Sequence, residues 1–216
     1  MQPTVGVVVP AYHPDPGRLR TYLHAIRETI DPDELRVELD LPNGTDSVDA
    51  TASESVAPDA AAPFDLPDDV DCRVVYRRRG KGAAVTAGFE ALSTDAYAFA
   101  DADGATPAQS LADVIAPVCD GDADLAAGSR RHPDSVVRSH QTFARRFLGD
   151  GFAWIARRLL DAELYDYQCG AKAITATAWE RARDHLYEPG FAWDIELVAV
   201  TDALGHRIRE IPVDWQ

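Results

Sequence analysis

The chain has 216 residues, 46% of them hydrophobic, and a formal net charge of −15. That length suits one large α/β domain, the apolar content can fill a core, and the acidity excludes general nucleic-acid binding, which needs a basic surface. Lys81 and Lys172 are the only lysines; an Asp-rich, Lys-poor surface stays hydrated where concentrated salt screens charges within about 3 Å, so a salt-loving source is the expectation.

Val5 to Val9 is a continuous apolar run closed by Pro10, the pattern of a buried parallel strand. Leu19, Tyr22, Leu23, Ile26 and Ile30 then share one face of a predicted helix over Gly17–Ile30. Arg36–Leu41 reads as a second strand. Asn43 to Asp71, rich in Ala, Asp, Ser and Pro, reads as a long, variable acidic loop. Cys72–Tyr76 is a third strand, Ala83–Leu92 a helix and Ala96–Ala100 a fourth strand. Thr106-Pro107 opens the next helix, with Thr as cap and Pro in the first turn. A strand over Asp124–Ala127 leads into Gly128-Ser129-Arg130, and Ser139–Leu160 is a long helical stretch. A short strand over Lys172–Thr175, helices near Ala176–Asp184 and Ala192–Leu204, and a strand over His206–Val213 complete the chain. The alternation predicts a mostly parallel, doubly wound sheet over residues 1–216.

Cys72, Cys119 and Cys169 lack metal-ligand spacing and read as reduced thiols in a cytoplasmic setting. No basic, small-residue leader precedes the first strand, and no stretch reaches the ~18 apolar residues of a membrane span. The expected location is the cytoplasm, or the periphery of the membrane's cytoplasmic face.

Ligands of doubly wound sheets bind beyond the carboxyl ends of the strands. That rule selects Pro10–Asp15, Asp40–Asp46, Arg77–Gly82 and Asp101–Thr106. Asp101-Ala102-Asp103 follows an apolar strand, and two carboxylates there can share one hard cation, Mg²⁺ or Mn²⁺, with substrate phosphates. The plainer alternative is a solubilising turn. Asp120, Asp122 and Asp124 form a similar pattern but begin a strand. Arg77-Arg78-Arg79-Gly80-Lys81-Gly82 runs straight into a helix whose free amides suit a diphosphate. The alternative is a basic turn that offsets surrounding acid; the spacing is not that of a nucleoside-triphosphatase P-loop.

Five segments in one order carry a resemblance: Val7 to Tyr12, Arg79 to Ala84, Ala100 to Pro107, Gly128 to Arg130, and Gln168 to Gly170. Together they resemble glycosyltransferase family 2, most nearly its dolichyl-phosphate β-glucosyltransferase and dolichol-phosphate mannose synthase branch. The resemblance implies a single-domain α/β GT-A (Rossmann-like) fold, a nucleotide-sugar donor and a divalent cation. It places Pro10, Ala11, Tyr12 and Asp40 at the nucleoside. Asp101 and Ala102 would lie near ribose and metal, with Asp103 the better direct ligand. Arg79 and Lys81 would contact a diphosphate or acceptor phosphate, and Ser129, Arg130 and Gln168 would surround the sugar and acceptor. Ordinary packing and turn bonding remain open for Tyr12 and Gln168.

Three departures from the family pattern stand out. His13-Pro14 replaces the usual Asn-Glu. Pro42-Asn43-Gly44-Thr45-Asp46 echoes only part of an Asp-Asp-Gly-Ser-x-Asp motif, so either Asp40 supplies the missing carboxylate or base recognition differs. Ile211 to Trp215 closes the chain where relatives continue into an acceptor-side segment, so that segment is expected either to be trimmed or to come from a membrane or protein partner.

The acceptor decides whether a base is needed. A phosphate monoester, with a second pKa of about 6, is already anionic at neutral pH, whereas a hydroxyl needs a general base. Asp194, in Trp193-Asp194-Ile195-Glu196, is the base candidate by resemblance; it could equally be a helix-start acid, with Glu196 facing solvent. Arg138 to Leu160 is basic and aromatic, which suits an anionic membrane surface as well as it suits a packed amphipathic helix. The leading reading is an inverting hexosyltransferase acting on a polyprenyl or dolichyl phosphate, with UDP-glucose before GDP-mannose as donor. A saccharide-extending transferase and an inactive nucleotide- or lipid-binding module are the alternatives.

Overall fold

The computed structural model describes residues 2–41, 62–136 and 164–216. The expected basic helix over 138–160, and the acidic loop up to residue 61, lie outside them.

The opening apolar run forms β1 (Val5–Tyr12), followed by α1 (Pro16–Thr29) and β2 (Glu34–Asp40). Asp15 caps α1 by accepting from the Arg18 amide at 2.7 Å, and Pro16 stands in the first turn, where its missing N–H costs nothing. Then come β3 (Asp71–Val75), α2 (Lys81–Phe89), β4 (Ala96–Ala100), α3 (Ala108–Cys119) and β5 (Leu125–Ser129). The chain ends with β6 (Ala171–Thr175), α4 (Ala176–Ala182) running into a 3₁₀ turn, α5 (Trp193–Ala203) and β7 (Ile208–Pro212). Thr106 does not cap α3: the cap position falls on Pro107 with no side-chain bond, and Thr106 is buried.

Among the described residues seven strands form one sheet in the order β3-β2-β1-β4-β6-β5-β7. All neighbours are parallel except β6, which runs antiparallel to both β4 and β5. The mostly parallel expectation therefore holds, with one reversed strand that connection signals did not reveal.

Alternation along β4 shows how the two faces differ. Ala96, Ala98 and Ala100 face one layer, where their small side chains let α1 and α3 pack close through Leu19, Leu23, Ile26, Leu111 and Val114. Tyr97 and Phe99 face the other, joining Phe89, Trp179, Trp193 and Leu197 under α2, α4 and α5. Phe89 meets Trp179 edge-on at 5.1 Å, and Phe99 meets Trp193 at 5.7 Å, arrangements that favour the ring quadrupoles. This aromatic block fixes the start of α5 against the start of α2, and so places Lys81 and Asp194 together.

Candidate active site

The chain reverses its winding between β1 and β4, the position where an open α/β sheet leaves a crevice at its carboxyl edge. A cavity of about 310 Å³ opens there, lined by Pro10, Ala11, Tyr12, Asp40, Arg78, Gly80, Lys81, Ala84, Asp101, Ala102, Asp103, Gly190 and Phe191. Pro10 to Tyr12 finish β1, Asp40 finishes β2, and Asp101 to Asp103 follow β4 directly. Arg78 stacks its guanidinium on the half-exposed Tyr12 ring, 4.8 Å from the centroid.

The floor of the cavity is a chain of alternating charges. Lys81 Nζ donates to Asp101 Oδ1 at 3.0 Å and to Asp194 Oδ2 at 2.9 Å. Lys172 Nζ donates to the other oxygen of Asp194 at 3.1 Å and to the Cys169 carbonyl at 2.9 Å. Both lysines of the sequence are thus spent on one carboxylate. Burial would push the Asp194 carboxyl up, but the charges of Lys172 and Lys81 outweigh it and hold it below the ordinary range. Lys81 is driven the other way: burial disfavours its charge, yet Asp194 and Asp101 raise its pKa. Asp101 sits above the ordinary carboxylate value, first because its place low in the cleft costs it hydration although its side chain is partly accessible, with Asp194 and Asp103 adding to the rise against Lys81.

Exposure separates the two acids. The Asp101 side chain is 41% accessible, whereas that of Asp194 is 1% accessible and lies beneath Lys81. Asp194 does not line the cavity, and each of its oxygens accepts from a lysine ammonium, so it is out of reach of a molecule held in the cleft. Its place is behind Lys81, as a residue that positions the cation. Glu196, expected to face solvent, accepts instead from the Tyr187 and Glu188 amides and steadies the loop ahead of α5.

Several other expectations fall differently. The Gly82 and Ala83 amides at the start of α2 donate to the Gly190 and Pro189 carbonyls, at 3.2 and 3.0 Å, and are not open to a diphosphate. The glycines serve this contact. Gly80 has φ +98°, and a Cβ there would meet the Pro189 oxygen at 2.3 Å; one on Gly82 would meet Trp193 at 2.5 Å. Arg79 bonds Asp40 at 2.7 Å and Glu38 at 2.8 Å, and its amide also reaches Asp40 at 2.6 Å. Its guanidinium therefore braces β2 from behind the cavity, and the Asp40 oxygens are engaged by the same residue.

Ser129, Arg130 and Gln168 do not line the cavity. Ser129 is fully buried and accepts from the His132 amide. Arg130 grips buried Asp166 through two nitrogens at 2.7 and 3.0 Å, and Gln168 is exposed beside it. Sequence reasoning did not assign Lys172, Glu38, Asp166 or Gly190 to this region. The rarity of lysine was a usable signal for Lys172; nothing local marked Asp166.

The donor chemistry suits a shared divalent ion. Asp101 keeps one oxygen clear of Lys81. Asp103 is exposed and gives one oxygen to the Ala105 amide at 3.0 Å, leaving the other available. Among the described residues no cluster of three or more His, Cys, Asp or Glu forms an all-protein cage. Two carboxylates at the rim of a cavity, with the remaining ligands from phosphate and water, match the habit of Mg²⁺ and Mn²⁺. Asp122 and Asp124, the similar pattern on the sequence, pair with Arg209 and Arg207 on the far edge.

The glycosyl transferase family 2 model matches residues 6–158. The chain belongs to glycosyltransferase family 2. It is 31% identical over 98% of its length to glycosyltransferase AglD of Haloferax volcanii, of which it spans 33%. Over 68% of its length it is 31% identical to the mouse dolichyl-phosphate beta-glucosyltransferase, of which the match covers 47%. The chain thus spans a third to a half of these relatives. The fold is GT-A: a Mycobacterium tuberculosis glucosyl-3-phosphoglycerate synthase, solved with Mn²⁺, UDP and glucosyl-3-phosphoglycerate, superposes with a TM-score of 0.66 at 19% identity, covering 99% of this chain and 71% of that one. The mannosyltransferase PcManGT of Pyrobaculum calidifontis, solved with GDP-Man and Mn²⁺, gives 0.59 at 18% identity, over 99% and 57%.

Proposed function

We propose that this family 2 domain moves a hexose from a nucleotide sugar to a polyprenyl phosphate with inversion, UDP-glucose being the first donor to test and GDP-mannose the second. The observation that carries the acceptor class is the state of Asp194, sealed between Lys81 and Lys172 at 1% exposure. A hydroxyl acceptor needs a base in hydrogen-bond reach, and this buried carboxylate is not reachable from the cleft. A phosphate monoester needs none, because at neutral pH it already carries the attacking negative charge. The kinship with dolichyl-phosphate beta-glucosyltransferases supports the same acceptor.

In this reading Pro10, Ala11 and Tyr12 wall the nucleoside, with Arg78 closing over the Tyr12 ring. Asp101 and Asp103 would hold Mn²⁺ or Mg²⁺, whose chemistry is to neutralise charge on the leaving diphosphate. Lys81, fixed by Asp194 from below, presents its ammonium to the same phosphates. It needs no reorganisation as charge develops, which is the source of electrostatic catalysis. Phe191, 68% exposed, stands at the rim of the cleft. Action on a lipid phosphate places the domain at a membrane surface, on the cytoplasmic face where nucleotide sugars are available; among the described residues no helix is long and apolar enough to cross a membrane.

Calorimetric titration of UDP-glucose and GDP-mannose with and without Mn²⁺ tests the donor site. One donor should bind only with the ion, and Asp101→Asn and Asp103→Asn should each weaken that binding by about 100-fold. Equal binding by the wild type and both variants would overturn the assignment.

A further inference from the structure

Several arginines in this acidic chain have found a carboxylate, among them Arg27 with Asp69, Arg130 with Asp166, Arg207 with Asp124 and Arg209 with Asp122. Arg18 and Arg20 on α1 and Arg181 on α4 have no such partner among the described residues; neither do Arg73, Arg77 and Arg78, which lie together. These last three stand on β3 and the turn after it, at the edge of the sheet. With Arg79, Ala83 and Ala87 they line a groove of about 400 Å³ between β3 and α2. This groove is not the donor cavity, although Arg78 touches both.

Arg79, which also lines the groove, adds a second observation. The Arg79 side chain is 92% buried; its Nε and Nη1 are satisfied by Asp40 and Glu38, but its Nη2 has no acceptor. A buried guanidinium nitrogen left without a partner is costly, and three further guanidiniums around one concavity repel one another. Acidic side chains are abundant in the sequence, so the groove has not been filled for want of them. A planar, doubly donating guanidinium is also the group best matched to a tetrahedral oxyanion.

We propose that this arginine groove is a second anion site, taking a phosphate group carried either by a soluble molecule or by a lipid headgroup. It lies on the nucleoside side of the cleft, across Arg78 from the donor.

The test measures binding, not transfer, and so stands apart from the proposed activity. Radiolabelled orthophosphate in equilibrium dialysis, and vesicles of phosphatidylglycerol against vesicles of phosphatidylcholine in sedimentation, are compared at about 0.1 M salt, where charges act over about 10 Å. The comparison uses the wild type, Arg73→Gln/Arg77→Gln, and Arg77→Gln alone, the last altering one exposed side chain should the double variant fail to fold. Phosphate retention lowered about tenfold in the double variant, with UDP affinity unchanged within about twofold, supports a site for a soluble phosphate. Lowered sedimentation with phosphatidylglycerol alone supports a headgroup site. Binding of neither probe, equal binding by wild type and variants, or loss of phosphate binding only in Asp101→Asn overturns the proposal, the last because it would place the phosphate in the donor cavity.

Discussion

Replacing Lys172 by methionine tests the charge chain beneath the cleft. The change removes the donor to Asp194 at 3.1 Å and to the Cys169 carbonyl at 2.9 Å, inside a region where Lys172 and Asp194 are each 1% exposed. Breaking a buried pair by deleting one partner costs about 3–5 kcal/mol, and the lower end applies because Lys81 stays on Asp194 at 2.9 Å. Asp194→Leu strands two ammonium groups and should cost about 4 kcal/mol. If the groups are independent, the double variant loses the sum, roughly 7 kcal/mol, enough to unfold many domains. If they form one network, the double variant recovers about 2–3 kcal/mol of that sum, because the Lys172–Asp194 pair leaves together. Urea unfolding of the wild type and three variants gives the coupling directly. Donor titration gives a second readout: with Lys172 gone, Lys81 is held more tightly by Asp194 and less by Asp101, and donor affinity should fall about tenfold. Additive stability losses within about 0.5 kcal/mol, with unchanged donor affinity, would refute the reasoning.

Arg79→Met leaves fully buried Glu38 with Arg36 alone and Asp40 with only the residue-79 amide; urea unfolding should show a loss of about 3 kcal/mol. Gly82→Ala sets a methyl group 2.5 Å from Trp193, prising the start of α2 from the 188–193 loop; thermal unfolding should drop by several degrees and donor affinity with it. Burial would raise the Asp166 carboxyl, but its bonds to Arg130 prevail and lower it. A carboxyl with a lowered folded pKa gives stability that is complete above the unfolded value of about 3.9 and is lost as pH falls through the folded value, so Asp166→Asn should flatten the acid limb of a stability–pH curve below about pH 4. Chelation of divalent ions with EDTA should abolish donor binding, and Mn²⁺ should restore it, measured in one titration series.

Much of the framework was legible because its signals are local. The apolar run Val5 to Val9 specifies a buried strand, and Leu19, Tyr22, Leu23 and Ile26 on one face specify the helix that follows, where all four are buried. The rule that ligands sit beyond strand ends brought Pro10 to Tyr12, Asp40, Lys81 and Asp101 to Asp103 to one place, and they do line one cavity. What stayed hidden is long-range. Lys81 and Asp194 meet across 113 positions, and no pattern near either shows that the carboxylate is capped on both oxygens. The amides of α2 looked open because the 188–190 loop that covers them lies far along the chain. Arg79 and Lys81, two residues apart, looked alike as phosphate ligands; only their opposed directions show that one braces β2 and the other faces the cleft.

The most direct measurement of the central claim is transfer of labelled glucose from UDP-glucose, with Mn²⁺ present, to a polyprenyl phosphate and in parallel to the same polyprenol without its phosphate. Label in the phosphate lipid alone is the predicted result, since the acceptor brings its own charge to a cleft whose buried acid is occupied. Equal labelling of the bare alcohol, or labelling of it alone, would contradict the account.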